Sequence, residues 1–407
     1  MGQSKALQGI RVLDFTWVAA GPGTTKLLAI NGAEVIKVES QQRLDTVRGL
    51  APKVGDQVSP NTSLYFNNMN PDKNCILLDM NTSKGLEFAR RLVAISDIVI
   101  SNFSPRAVDK WGLDYDSLKR IREDIIVIHM PVMGLSGPRR HYAGFGSGLK
   151  GITGLSTLMG FEGTIPVGPQ GTYPDFGLNP SHAMTAVMAA LHYRHRTGRG
   201  QSIDLSQYES VVNSTGTAIL EYTANGRVTP RRGNKNPHMA PHGVYPCAGE
   251  EQWIAIAVED DAAWTRLCEV AEQPQWAADV RFTTLIGRQG HVDELDNLVV
   301  DWTRTKGAET LAIALQKAGV GAYKLLTVED LFEHDEQMRA REHYTWLDHP
   351  EIGSAPVDNP GFRFDKLSTK PQRRAPLVGE HNDYVFHELL GLTYDEMNEL
   401  ILEGVFY

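Results

Sequence analysis

Cysteine is scarce: three occur in 407 residues, at 75, 247 and 268, with no C-x-x-C pair. Such an odd, scattered set excludes a disulfide framework or a zinc ribbon, and it leads us to expect a reducing, cytoplasmic setting. No apolar run approaches the roughly 18–20 residues that a membrane span requires. Met1–Ala6 has no apolar signal core, and Ala6 sits where a myristoylation motif wants Ser or Thr. Excess positive charge is missing too. A formal net charge of −9 gives no general attraction for nucleic acid or an acidic membrane, so an anionic ligand must be met by local basic groups. There is no G-x-S-x-G elbow to anchor a hydrolase triad. His192 and His195 lie three apart without a third ligand nearby, and His238 and His242 flank Pro241 without further support, so no metal site is expected.

Hydrophobic residues make up 42% of the chain and charged residues 22%, enough apolar content for two or three domains with their own cores. Short β-rich runs alternate with helical patterns over the first 130 residues. Strands are expected at 10–15, 34–39, 75–78, 98–101 and 125–130, with helices at 24–30, 83–95 and 116–122. That alternation calls for right-handed crossovers and a mostly parallel sheet, with a ligand site off the carboxyl ends of the strands. The loops following Phe15, Glu39 and Ser101 are the ones to watch. A long helix is expected over 180–196, stopped by Gly198, and then a strand at 201–206. Near Gly243 a new pattern opens, with strands at 243–246 and 252–258 across a Gly249 turn, and helices at 260–271 and 308–318. The last fifty residues are Pro-rich and end in an amphipathic helix at 394–402. We divide the chain into a large domain over 1–225, a small domain over 226–330, and a return to the large domain over 331–407.

Strand 10–15, the turn Gly21-Pro22-Gly23 and the acidic strand end Glu39 imitate a dinucleotide-binding opening. The G-x-G-x-x-G fingerprint needs a third small residue for close helix packing, and position 26 is Lys. A full match at Gly146, Gly148 and Gly151 lacks a convincing strand before it. A nicotinamide oxidoreductase is therefore the runner-up.

The most informative segment is Gly171-Thr172-Tyr173-Pro174-Asp175-Phe176-Gly177, where an acid stands just ahead of a long helix. On its own, Asp175 reads as a capping or solvated group. Other stretches change the weighting: Leu7–Asp14 (LQGIRVLD), Ala20-Gly21-Pro22, Gly32–Glu39 (GAEVIKVE), Leu77–Met80 (LLDM), Asn102–Pro105 (NFSP), Arg194–Gln201 (RHRTGRGQ) and Arg374–His381 (RAPLVGEH). Taken in this order, they resemble the family III CoA-transferases, the group that contains formyl-CoA transferase and carnitine CoA-transferase. The resemblance covers nearly the whole chain.

That resemblance implies an α/β fold with a Rossmann-like large domain, a smaller inserted α/β domain and an interlocked dimer. It implies no permanently bound cofactor, with coenzyme A entering as acyl-CoA substrate beside a small carboxylic acid. The partner is a homologous subunit or a second copy of the chain, and neither nucleic acid nor membrane is involved. Asp175 falls on the catalytic aspartate, which forms anhydride and aspartyl-CoA thioester intermediates. With an ordinary pKa of about 3.9 such a carboxylate is already ionised. Positions matched to CoA binding are Val18, Ala19, Ala20, Arg43, Leu78, Asn102, Phe103 and Lys110, with Arg48 as an alternative to Arg43. Backbone N–H groups of the Gly-containing loop just past Phe15 and Trp17 are expected to stabilise oxyanions. Ser40 and Asn81 stand where relatives carry basic residues, and Gly146 stands where relatives often place an acid. Trp17, Phe145, Tyr173 and Phe176 suggest an apolar or aromatic acceptor. Taken whole, the chain resembles the catalytic subunit of the succinyl-CoA:benzylsuccinate type. Carnitine- and oxalate-type transfer, or an acyl-CoA racemase or isomerase on the same scaffold, remain alternatives.

Overall fold

The computed structural model describes residues 5–55, 59–169 and 173–406. Gln170, Gly171 and Thr172, two of which belong to the segment singled out above, lie outside the described residues, as do Met1–Ser4. The chain forms two compact units: Met1–Ser156, Gly168–Val228 and Arg339–Tyr407 make the first, and Thr157–Val167 and Thr229–Met338 the second.

The first unit is built on a six-stranded, wholly parallel sheet. Its strands are β1 (Arg11–Phe15), β2 (Glu34–Glu39), β3 (Asn74–Leu77), β4 (Ile98–Ser101), β5 (Ile126–His129) and β6 (Gln201–Asp204), in the order β3-β2-β1-β4-β5-β6. A mixed α/β class with a parallel central sheet is what the sequence pattern called for. The runs are continuous rather than alternating because both faces are covered: Val12 and Leu13, like Val99 and Ile100, are fully buried neighbours pointing to opposite faces. One face packs against α1 (Ala20–Ile30) and the long α5 (Asn179–Thr197), whose Leu28, Ala183 and Val187 meet Val12 and Ile100. The other packs α2 (Ser83–Ala94) and α3 (Pro105–Trp111) against Leu13, Ile36 and Val127. This unit also contains α4 (Gly146–Ile152) and α6 (Gly216–Asn225). Gly198, in the left-handed conformation at φ 70°, ends α5 where the sequence anticipated.

Charges interrupt two central strands, and register explains them. Asp14 of β1 and Lys37 of β2 are Cα partners, and both are fully buried. Lone buried charges at such positions would be prohibitive; here each has ion-pair partners, described below.

The second unit holds an antiparallel sheet of β7 (His242–Pro246), β8 (Trp253–Ala257) and β9 (Gly321–Lys324), in that order. It is packed with α7 (Asp261–Val270), α8 (Val292–Thr303) and α9 (Ala308–Lys317) around Trp264, Trp276, Phe282 and Leu295. The β7–β8 turn contains Gly249 at φ 108°.

From residue 339 the chain rejoins the first unit. It adds an antiparallel hairpin, β10 (Tyr344–His349) and β11 (Gly353–Asp358), that the sequence pattern did not reveal. The terminal amphipathic helix is present as α10 (Tyr394–Leu402), fixed by a capping box between Thr393 and Glu396. Its Met397 and Leu400, with the stacked rings of Phe386 and Phe406, join the core that holds Leu13 and Ile36. Among the described residues no helix is long and apolar enough to cross a membrane.

Candidate active site

A doubly wound sheet opens a crevice beyond the carboxyl ends of its strands, where strand order changes direction. Here that point lies between β1 and β4. The loops after β1, β2, β3, β4 and β5 meet there around a cleft of about 640 Å³. Lining residues include Val18, Arg43, Leu78, Phe103, Phe145 and Asp175.

The loop after β1 is tightly specified. Trp17 N–H donates to Asn102 Oδ1 at 3.0 Å, and Asn102 Nδ2 returns a bond to Trp17 O at 2.8 Å, so the amide ties two neighbouring loops together. Thr16 N–H donates to Asp14 Oδ1 at 2.8 Å and Val18 N–H to Asp45 Oδ1 at 3.1 Å. These three N–H groups are therefore committed, which narrows the expected oxyanion donors to the glycine-containing stretch that follows. What remains near that place is the first turn of α1, whose leading N–H groups have no intrahelical partner. Gly21 is needed there because a Cβ would lie 2.3 Å from Thr16 Cβ.

Asp175 sits in a π-helical turn, Pro174–Leu178, that runs directly into α5. Such bulges often occur at functional sites. Only 4% of the residue is exposed, yet it lines the cleft. Its Oδ1 accepts from Asn179 Nδ2 at 3.2 Å; the same amide reaches Gln207 Oε1 at 3.3 Å, and Gln207 Nε2 donates to Met130 O at 2.6 Å. Burial pushes the carboxyl up to about 6, with the Asn179 amide and the Gly146 N–H pulling against it. The ordinary value expected from sequence is thus corrected by desolvation, although the group is still mostly ionised at neutral pH. Gly146 is a steric requirement: a Cβ would come within 2.0 Å of Asp175 Oδ2. An acidic side chain at that position has no room in this arrangement.

The sequence-selected residues divide clearly. Trp17, Val18, Ala19, Ala20, Arg43, Leu78, Asn102, Phe103, Lys110 and Phe145 line the same cleft as Asp175. Tyr173 and Phe176 do not. They are 52% and 48% exposed, and Phe176 stacks on Tyr65 at 5.8 Å. Successive residues of a helical turn point about 100° apart, so flanking Asp175 in sequence does not aim a side chain at its cleft. Arg43 lies over the Trp17 ring at 5.2 Å, and Trp17, Phe103 and Trp111 form an edge-to-face series. Lys110 Nζ donates to Asn81 Oδ1 at 2.6 Å. Arg48, the alternative to Arg43, is buried in a bidentate pair with Glu39, with Nε–Oε2 and Nη2–Oε1 both 2.9 Å. Lys26, where the dinucleotide fingerprint wants a small residue, pairs with Asp358 Oδ1 at 3.0 Å. The match at Gly146–Gly151 opens a helix that follows a loop, not a strand. His192 and His195 lie exposed on α5, and among the described residues no cluster of three His, Cys, Asp or Glu could hold a metal.

Arg106, Arg140 and Gln207 are cleft residues that the sequence reading did not single out. Arg106 and Arg140 add positive charge to the lining, and Gln207 and Gly146 complete the surroundings of Asp175. Arg106 could have been found, since Asn102–Pro105 was already noted and a helix starting at Pro105 displays the next residue at the same loop. Gln207, some thirty residues beyond Asp175, gave no signal.

Comparison with known proteins agrees with this architecture. The family model of CoA-transferase family III matches residues 7–382. The succinyl-CoA–D-citramalate CoA-transferase of Chloroflexus aurantiacus is 32% identical over 393 residues, covering 97% of this chain and 96% of that protein. The formyl-CoA:oxalate CoA-transferase of Streptomyces coelicolor is 30% identical over 420 residues, covering 99% of each. The crystal structure of a CAIB/BAIF family protein from Brucella suis superposes with a TM-score of 0.86 at 31% identity, covering 95% of this chain and 100% of that one. The cleft, its nearly buried aspartate and this full-length likeness lead to one assignment: the chain is an enzyme of the family III CoA-transferases.

Proposed function

We propose that this enzyme moves CoA from an acyl-CoA donor, succinyl-CoA first among them, to a small carboxylic acid, with Asp175 as the temporary carrier. One observation carries the reading: a nearly buried carboxylate, raised to about 6 by desolvation, lies on the wall of the cleft formed by the strand-end loops. Such a group is ionised at neutral pH and more basic than an exposed aspartate, as a nucleophile requires.

In the first step an Asp175 oxygen attacks the thioester carbonyl. The C–S bond breaks, giving a mixed anhydride and CoA thiolate. The thiolate then attacks the Asp175 carbonyl carbon, expelling the donor acid as its carboxylate and leaving an aspartyl-CoA thioester. The acceptor carboxylate attacks that carbonyl, again releasing thiolate, which finally takes the acceptor's acyl group and regenerates the Asp175 carboxylate. Every intermediate remains an activated acyl compound, so little free energy is lost between steps. The first-turn N–H groups of α1 are assigned to the developing oxyanions. Arg43, Arg106 and Lys110 are assigned to the CoA phosphates, and Val18, Ala19, Ala20, Leu78, Asn102 and Phe103 to the pantetheine arm. No resident cofactor is invoked.

Trp17 and Phe145, which line the cleft, support an acceptor with an apolar or aromatic body, and benzylsuccinate heads the candidates; Tyr173 and Phe176 are left out of that pocket. Citramalate, formate and oxalate occur in the names of relatives, and a carnitine ammonium could meet the same rings by cation–π contact. An interlocked dimer, with an identical or homologous subunit, is supported by α6, which buries none of its residues and leaves Leu220 and Tyr222 67% and 58% exposed.

The test is incubation with succinyl-CoA and, separately, benzylsuccinate, citramalate, oxalate or carnitine, with chromatographic detection of the new thioester. Transfer to at least one acid, abolished in Asp175→Asn, supports the proposal. No transfer, together with solvent deuterium entering the α-carbon of an acyl-CoA, would replace it with racemase or isomerase chemistry.

A further inference from the structure

Three buried cations lie beneath the loop that follows β1, and none of them reaches the cleft. Lys73 Nζ donates to Pro22 O at 3.0 Å, Thr25 Oγ1 at 2.8 Å and Asn70 Oδ1 at 2.8 Å, and lies 3.5 Å from Asp14 Oδ2. Arg48 is occupied by Glu39, whose Oε2 also accepts the Asp45 N–H at 3.0 Å. Lys37 Nζ donates to Thr16 O at 2.6 Å and to Asp45 Oδ2 at 3.0 Å, with both side chains of that pair fully buried.

The geometry converges on Val18. This residue has φ 71°, a left-handed conformation that is a genuine outlier for a β-branched side chain and persists only where the surroundings hold it. Its N–H is held by Asp45 Oδ1, the carbonyl two residues earlier by Lys37, and Asp45 in turn by Lys37 and by its own N–H to Glu39. Val18 and its neighbours Trp17, Ala19 and Ala20 all line the cleft, whereas Lys37 and Asp45 do not. Buried pairs of this kind add little net stability over apolar replacements, so their presence calls for another explanation.

We propose that the buried Lys37–Asp45 pair is a positioning device that holds the strained Val18 turn in the shape that receives acyl-CoA. It acts through Val18 and touches no substrate. The inference rests on the reading of this cleft as the CoA site and adds residues that reading does not use.

The experiment measures steady-state KM for donor and acceptor, kcat, and CoA binding by calorimetry, with wild type, Asp45→Ala, the apolar pair Lys37→Met/Asp45→Leu, and the latter combined with Val18→Gly. The apolar pair leaves no charge unpaired in the interior, so it tests the idea even where Asp45→Ala fails to fold. We expect its thermal stability to stay near wild type while the donor KM and the CoA dissociation constant rise at least about tenfold, because the turn loses both the Asp45 acceptor of the Val18 N–H and the Lys37 donor to Thr16 O. The acceptor KM should stay within about twofold. Adding Val18→Gly should recover most of the loss, because glycine adopts positive φ at no steric cost. A purely structural pair would lower stability and leave the donor KM of the folded protein unchanged. Wild-type CoA binding with an unchanged donor KM in the folded apolar-pair variant overturns this inference alone, as does failure of glycine to restore binding. Wild-type protein that binds no CoA overturns the functional reading and this inference with it.

Discussion

Replacing Asp175 by Asn should stabilise the protein while destroying its activity. Holding this carboxyl at about 6 rather than at its ordinary 3.8 corresponds to about 3 kcal/mol between its protonation states. The sign follows from linkage. Below pH 3.8 the group is neutral in both the folded and unfolded chain and costs nothing; as pH rises through 6, the stability conferred by the neutral form is lost. The folded wild type should carry the full cost of about 3 kcal/mol at pH 8 and roughly half of it at pH 5. An isosteric amide has no charge to desolvate and keeps one carbonyl oxygen to accept the Asn179 amide. Urea unfolding of the two proteins side by side, followed by tryptophan fluorescence, should show the variant more stable by about 3 kcal/mol at pH 8 and by roughly half as much at pH 5. Equal stabilities at both pH values, or a variant less stable than wild type, would refute the view that Asp175 is a strained, desolvated anion.

Other perturbations test separate parts of the site. The half-reaction with acyl-CoA should accelerate with pH to a plateau above about pH 7, with its midpoint near the 6 set by burial; Asn179→Leu, which removes a bond to the charged form, should move that midpoint upward in a stopped-flow pH series. Gly146→Ala places a methyl 2.0 Å from Asp175 Oδ2, and a loss of at least about a hundredfold in kcat/KM is expected for the misplaced carboxylate. Joint replacement of Arg106 and Lys110 by Ala should raise the KM for acyl-CoA several-fold and flatten its dependence on salt, because two exposed cations at the cleft are lost. The KM for a pantetheine thioester lacking the nucleotide should not move in that variant.

Much of the first unit was legible because its signals are local. Strands β2, β4 and β5 carry runs of Val and Ile bounded by Glu, Ser or His, β1 is Val-Leu-Asp-Phe after Arg11, and each falls within a residue of the stretch that pattern marked. The stops at Asn31-Gly32 and Gly198 came from the conformational freedom of glycine at helix ends. The β10–β11 hairpin was missed because its sequence, with Pro356 inside a strand and Asp348 and Asp358 near the strand ends, reads as loop; only pairing makes it a sheet. In the site, Asp175 was visible only through the order of motifs around it, not through its own neighbourhood. Its pKa, the commitment of the Trp17 and Val18 N–H groups, and the role of Gly146 depend on contacts across 27 to 85 residues or on burial, which a linear sequence does not display. Arg43 and Arg48 show the same limit: five residues apart, one lies exposed at the cleft and the other is locked on Glu39.

The most direct measurement is chemical capture of the carrier. Protein incubated with succinyl-CoA alone, then treated with hydroxylamine and digested, should yield the peptide containing Asp175 as its hydroxamate, and the Asp175→Asn protein should yield none. A mass shift on any other residue, or an unmodified Asp175 peptide in a preparation that turns over, would contradict the covalent role assigned to this side chain.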